Sequence, residues 1–355
     1  MDLAISLPTK ANSWEVVVRA EQLGFTHAWF YDTPLLNAEL FAAMGATAVK
    51  TSRIKLGSGV MVPSLRFAPV AASGLATLNA LAPGRILFGV STGFTGRITM
   101  GLKPVTLGRM TKYIQVVRGL LAGETVDWDE EGGTHKIRFL NPDAGLINIG
   151  DEIPVAISAF GPKTRRLVAD LGTYWINSPA DPDRERAEME EMRTLWRDRG
   201  RDLKDLYPIA MIGGRVLDEG EAYDSPKSMA QAGPFAAMIF HALVEQDETG
   251  ALQTITAGFP FAAELEAYRK VYRDYQPSEA LYLQNHRGHR MFLRPEETHV
   301  TGDAIKALTM TAPKAELVEH MRRLKELGYR QVQIEAMPGQ EDDIMERWAD
   351  VMAAV

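Results

Sequence analysis

The chain has 355 residues, 46% of them hydrophobic and 24% charged, with a formal net charge of −7. The acidic balance argues against nonspecific binding to nucleic acid or to an anionic membrane. The chain contains no cysteine, so disulfides, thiolate catalysis and zinc–cysteine sites are excluded.

Along the first 100 residues the apolar pattern alternates between helical and strand periods. A short apolar run at 3–7 ends at Pro8, and Ser13 is placed to cap a helix over 14–23, its hydroxyl accepting a free backbone N–H. Strands are predicted at 27–31, 54–62 and 86–92, separated by helices at 38–50 and 68–81. Helix 106–121 leads into 123–150, where two strand-like stretches flank Gly132-Gly133 and read as an inserted hairpin. Strand 154–158, helix 163–171, strand 174–177, a charged helix at 183–199 and strand 209–216 follow. Residues 217–309 form a longer excursion, helical near 228–245 and 261–275. Its Phe235, Met238, Phe240, Phe259 and Phe261 are expected to roof a site or, alternatively, to form a dimer contact. Helix 314–327, strand 332–337 and helix 342–352 close the chain.

Leu23-Gly24, Leu171-Gly172 and Leu327-Gly328 each end a helix just before a buried strand, as short αβ loops do. A doubly wound sheet uses the same loop. About eight β/α units fit this length, which favours an α/β fold of the (β/α)8 TIM barrel type. The expectation is a single barrel domain over 1–355, with 123–150 and 217–309 as insertions, the second a lid between strands seven and eight. No basic region leads into a long apolar run at the N-terminus and no stretch is apolar enough to span a bilayer, so a cytoplasmic location is expected.

In such a barrel the site lies at the carboxyl ends of the strands. Ser6 and Pro8 stand where a metal hydrolase carries His-x-His, no strand end offers clustered carboxylates, and no lysine lies inside a strand. No metal site is expected. So few strong acids, bases or nucleophiles suit a protein whose cofactor carries the hard chemistry. Ser158-Ala159-Phe160-Gly161-Pro162-Lys163 runs from strand five into a helix and continues to Arg165 and Arg166. Free N–H groups there make a phosphate cradle or, equally, a plain helix start with a basic face. Ser91-Thr92-Gly93-Phe94 lets backbone and hydroxyls approach a ligand, though any βα loop holds glycines. Asp32, read from the residues alone, is more readily a cap than a ligand-facing carboxylate. His286-Arg287-Gly288-His289-Arg290 reads as a polar loop or as a lid facing an anion.

Gly57-Ser58-Gly59-Val60-Met61-Val62-Pro63, with Arg66-Phe67-Ala68-Pro69 and Asn79-Ala80-Leu81-Ala82-Pro83-Gly84-Arg85, resembles strand three and the following segment of the bacterial luciferase-like oxidoreductases. With Trp29-Phe30-Tyr31-Asp32 and the Ser158–Thr164 loop, the chain is similar to the deazaflavin (F420) branch in particular. The resemblance implies an oxidoreductase or monooxygenase using F420 or FMN, with F420 favoured over FMN, acting on a small or medium organic substrate. It also implies a homodimer and a separate flavin or F420 reductase as partner. It places Asp32 near the cofactor ring as the catalytic residue, orienting the ring or a proton-relay water, and implies a non-prolyl cis peptide at Gly59-Val60 behind that ring. Ser91, Thr92, Gly93 and Phe94 would meet the cofactor's tail. Ser158, Ala159, Phe160, Gly161, Pro162 and Lys163 would surround its phosphate. Two departures stand out: Thr33 replaces the branch's frequent histidine, and Phe94 replaces the acid of its sugar-phosphate dehydrogenases, which leaves the proton donor unassigned. The alternatives are a cofactor-binding barrel without catalysis, and a phosphate-binding isomerase or lyase with Glu335 at its strand end.

Overall fold

Eight short parallel strands, each buried on both faces, close into one barrel: β1 (Asp2–Leu7), β2 (His27–Phe30), β3 (Lys55–Ser58), β4 (Ile86–Val90), β5 (Val155–Ser158), β6 (Tyr174–Asn177), β7 (Pro208–Ile212) and β8 (Gln331–Glu335). Each pairs with its sequence neighbour, and β8 returns to β1 with Ser6 opposite Glu335. The computed structural model describes residues 1–179, 181–249 and 259–355; the part of the excursion at 250–258 lies outside them. Among the described residues no helix is long and apolar enough to cross a membrane.

The two-residue period of a strand divides the side chains between two cores. Leu3, Ile5 and Leu7, then Ala28 and Phe30, point outward and pack with the surrounding helices. Ala4, Trp29, Leu87, Ala156, Ile176 and Ile209 point inward and fill the barrel. Trp29 is the largest of these and is fully buried. Its ring occupies space that β3 and β4 leave by carrying glycine. A Cβ on Gly57 would stand 2.5 Å from Trp29 Cε3, and one on Gly59 would stand 2.9 Å from Trp29 Cβ. The indole N–H is not stranded, because it donates to Gln331 Oε1 on β8 at 2.8 Å.

Three helices end on left-handed glycines before a strand: Gly24 (φ +89°), Gly172 (φ +64°) and Gly328 (φ +109°). The hairpin pairs Val126–Glu130 with Gly133–Ile137, and Glu131 and Gly132 at positive φ make its tight turn. Several local expectations change. Ser13 does not cap its helix; its hydroxyl accepts the Lys10 N–H at 2.8 Å. The strand predicted over 54–62 stops at Ser58, turns through a cis Gly59-Val60 peptide and regains one bridge at Met61 to Val90. The strand predicted to reach 216 ends at Ile212, and Val216–Leu217 pairs separately with Ala312–Pro313.

The excursion between β7 and β8 carries helices at Pro226–Gln231, Gly233–Thr249, Ala262–Arg273, Tyr282–Asn285 and Gly302–Leu308. Phe240, with Phe259 and Phe261 against it, packs on Val244, Leu265, Tyr268 and Tyr272 in a satellite core. These rings bury one another and do not line the barrel mouth. Met238 joins the main core, and Phe235 lies over Gly213.

Gly89 tests the barrel packing. A Cβ there would fall 2.0 Å from the Ser58 carbonyl oxygen and 3.1 Å from the Trp29 ring. Gly89→Ala is expected to cost at least about 3 kcal/mol in chemical denaturation, because backbone must move to admit it. An unchanged unfolding midpoint would contradict this packing.

Candidate active site at the barrel mouth

The inward positions one layer above Trp29 are polar or thioether: Tyr31 after β2, Ser91 after β4, Ser158 on β5, Met211 on β7 and Gln333 on β8. Together with Asp32, Thr33, Gly59, Val60, Gly93, Phe94, Thr95, Phe160, Ile176, His289 and Arg290 they enclose a cavity of about 170 Å³ at the carboxyl ends of the strands. Val60, Ile176 and Met211 pack on the Trp29 cluster as well as lining this cavity, so that cluster supports its floor. Roomier hollows lie elsewhere, two of them large. One, of about 740 Å³, opens at the opposite end of the barrel beside Asp2, Arg193 and Arg330. The other, of about 860 Å³, lies between Phe67, Tyr113 and the hairpin's Trp128.

Asp32 is not a helix cap. Its Oδ2 accepts from Arg66 at 2.7 Å; Asp32 is buried and Arg66 partly so. Burial raises the Asp32 carboxyl above its ordinary range, and Arg66 offsets part of that. Arg66 also reaches the half-exposed Glu39 and lies 4.8 Å over the Phe41 ring. Beside it, Thr33 accepts from the Asn37 amide.

Across the mouth, Glu335 at the end of β8 binds both the Tyr31 hydroxyl and Arg290 Nε. The Arg290 guanidinium lies 5.0 Å from the Tyr31 ring centre and 5.6 Å from that of Phe235. Burial, with Glu335 adjacent, pushes the Tyr31 hydroxyl far upward, so it stays protonated. Gln333 Oε1 and Glu335 Oε2 are buried without a hydrogen-bond partner among the described residues.

The cofactor-binding residues expected from sequence divide. Gly59, Val60, Ser91, Gly93, Phe94, Ser158 and Phe160 converge on the cavity with Asp32. Gly93 takes φ +81° against Val62, and its N–H donates to Ser91 Oγ at 3.2 Å. Thr92 is directed elsewhere, its carbonyl accepting from Val105 N–H at 2.9 Å. Ala159 does not line the cavity: its side chain is in the outer core, its N–H donates to the Ile176 carbonyl and its carbonyl accepts from the Trp175 indole. Gly161 caps helix Pro162–Leu171 with no side chain bonded to the helix start, and nothing lies within 4 Å of the place its Cβ would take. Pro162 and Lys163 are exposed there. Arg165 is turned away from this cradle, buried against Glu188 and Glu191.

Sequence reasoning missed Arg66, Tyr31 and Gln333 as parts of the site, and left His289 and Arg290 in an unplaced loop. The signal for β8 was present: Gln331-Val332-Gln333-Ile334-Glu335 alternates polar and apolar, and in a barrel such alternation puts the polar column inside.

The luciferase-like monooxygenase family matches residues 5–331, and the chain belongs to that family. It is 28% identical over 216 residues to a 5,10-methylenetetrahydromethanopterin reductase of Methanolobus tindarius, covering 60% of this chain and 63% of that one. It is 30% identical over 181 residues to an F420-dependent glucose-6-phosphate dehydrogenase of Microbacterium testaceum, covering 47% and 52%. The matches thus span between about half and two thirds of these relatives' lengths. In fold, the chain is similar to an F420-dependent secondary alcohol dehydrogenase, with a TM-score of 0.69, 18% identity and coverage of 100% and 98%.

The Asp32–Arg66 pair yields a stability test. Arg66→Met leaves a carboxylate buried without its cation and is expected to cost about 3 kcal/mol. Glu39→Gln removes only the exposed partner and is expected to cost less than about 1 kcal/mol. Guanidinium unfolding distinguishes the two; equal losses would show that Asp32 is not the dominant partner.

Proposed function

We propose that this chain is an oxidoreductase that uses the deazaflavin F420 to transfer a hydride to or from a small organic substrate. The observation that carries the reading is convergence. Gly59-Val60, Ser91 to Phe94 and Ser158 to Phe160, three loops distant in sequence, meet at one cavity. The similarity to an F420-dependent dehydrogenase supports F420 over FMN.

The residues present fit such a group. A deazaflavin ring has a pyrimidinedione edge of N–H and carbonyl groups. The unpartnered Gln333 Oε1 can accept from it, and the Ser91 and Ser158 hydroxyls can both donate and accept. The open Gly161 helix start suits a phosphate on the same ligand. When bound, the group supplies a two-electron hydride acceptor or donor. The protein's share is to hold it on the Val60, Ile176 and Met211 floor, to fix the Asp32–Arg66 pair at one side, and to exclude water beneath Arg290. The polar set at the mouth favours a catalytic barrel over a binding subunit.

The partner in this reading is a second copy. Helices Leu40–Ala48 and Ala68–Leu81 present Phe41, Val70 and Leu81 around a shallow apolar groove. Val70 and Leu81 are large exposed hydrophobics, and an apolar face of this kind suits an interface. Sedimentation of the purified chain is expected to show a dimer, and Val70→Glu to shift it to monomer; a wild-type monomer at micromolar concentration would remove this partner.

Calorimetric titration of the purified chain with F420 is expected to give micromolar or tighter affinity, about −8 kcal/mol or better, with FMN weaker. Gly161→Val is expected to weaken F420 at least about tenfold, since a β-branched side chain fills the phosphate approach. At φ −106° the variant fits the backbone, so its melting temperature is expected to match wild type. Binding of neither cofactor would overturn the proposal, and an unchanged affinity in Gly161→Val would remove this loop from the site.

A further inference from the structure

Oxidising an alcohol to a carbonyl removes a hydride from carbon and a proton from oxygen, and the second needs a protein group to take it. The end of β2 does not offer one. Asp32 is held by Arg66, and the Thr33 hydroxyl by the Asn37 amide. Tyr31 is locked to Glu335 and stays protonated. The excursion between β7 and β8 brings in a different candidate. His289 lines the cavity at 7% exposure, with Nε2 3.3 Å from the Thr95 hydroxyl and Nδ1 buried without a partner.

We propose that His289 exchanges the substrate's proton and that the substrate is an uncharged alcohol–carbonyl pair; this rests on the deazaflavin reading of the preceding section. In the oxidative direction the carbon's hydride passes to the cofactor, the hydroxyl proton passes to His289 Nε2, and the C–O single bond becomes C=O. Reduction runs the same transfers backward.

The surroundings keep His289 unprotonated at neutral pH. Burial lowers its imidazole well below the ordinary 6.5, and His286, His241, Arg290 and Arg294 push it the same way. The carboxylates packed around it are directed to other partners. Glu245 bonds His286 at 2.9 Å, Glu297 bonds His241 and Arg294, and Glu335 bonds Arg290. A neutral imidazole at neutral pH is a base, and its activity is lost only when it gains a proton. The rate of alcohol oxidation is therefore expected to hold as the pH falls through 6.5.

The cavity's charges also bear on the substrate. Asp32 is neutralised by Arg66 and Arg290 by Glu335. The further contacts of Arg290 are the Tyr31 and Phe235 rings and Met211 Sδ at 3.8 Å. A phosphate or carboxylate placed here would bring a charge into a buried site whose cations are already paired, which is costly. An uncharged substrate avoids that cost.

The test uses the full chain loaded with F420, after its affinity has been measured on the same sample. Propan-2-ol, cyclohexanol and benzyl alcohol are offered against glucose 6-phosphate, and reduction of the deazaflavin is followed by absorbance. At least one neutral alcohol is expected to be oxidised in preference to the sugar phosphate. His289→Gln is expected to lower kcat about 100-fold, with KM and the F420 dissociation constant nearly unchanged. A second measurement does not depend on that variant folding: in the wild-type chain the His289 side-chain nitrogen resonances are expected to report a neutral ring at pH 7 and to move when cyclohexanol is added. Failure to bind F420 would bring down the cofactor reading itself. Normal F420 binding would leave that reading standing and overturn this proposal alone if combined with any of four results: a preference for glucose 6-phosphate, no reduction by any neutral alcohol, full kcat in His289→Gln, or a His289 ring that is protonated at pH 7 or indifferent to cyclohexanol.

Discussion

The barrel depends on one packing arrangement, the Trp29 indole held against glycine backbone on β3 and β4. A (β/α)8 interior must be filled by side chains in layers, and here one indole does much of that in a single layer. Gly57, Gly59 and Gly89 leave the room it needs. Because Trp29 ends in an N–H, the arrangement also requires an acceptor inside the barrel, which Gln331 provides. The layer above can then be open and polar instead of filled, since the layer below already seals the barrel.

Strand β8 extends the consequence upward. Gln331, Gln333 and Glu335 form an inward polar column, an arrangement that costs stability unless each member is satisfied. Gln331 is satisfied by Trp29 and Glu335 Oε1 by Tyr31 and Arg290, whereas Gln333 Oε1 and Glu335 Oε2 have no hydrogen-bond partner among the described residues. The excursion contributes to this balance as well as covering the mouth. Arg290, at φ +56°, delivers the cation that Glu335 needs, and the preceding residue delivers an imidazole to the cavity wall. Its aromatic residues were expected to form that roof; they instead stabilise the excursion internally through Phe240, Tyr268 and Tyr272.

Much of the architecture was legible because it follows from local rules. Leu-Gly helix ends, two-residue alternation and the Gly132 turn are short-range signals, and each marks an element that the structure contains. The loops at Gly59, Ser91 and Ser158 were legible through family resemblance. What escaped was set by tertiary pairing. Nothing near Asp32 in sequence shows that Arg66 reaches it, and nothing near Glu335 shows Tyr31 and Arg290. The surroundings of Ala159 escaped for the same reason: only the pairing of β5 with β6 reveals that its backbone groups bond Ile176 and Trp175. Ser13 failed at shorter range, where the Lys10 amide competed for the same hydroxyl.

On the proposed reading the small cavity over the Trp29 layer, and none of the larger hollows, receives the cofactor ring. A crystal structure of the chain grown with F420 tests this most directly. The ring is predicted to rest on Val60, Ile176 and Met211, with Gln333 Oε1 within hydrogen-bonding distance of its pyrimidinedione edge. A ring found beside Trp128 and Phe67, or at the opposite end of the barrel near Arg193 and Arg330, would contradict the account.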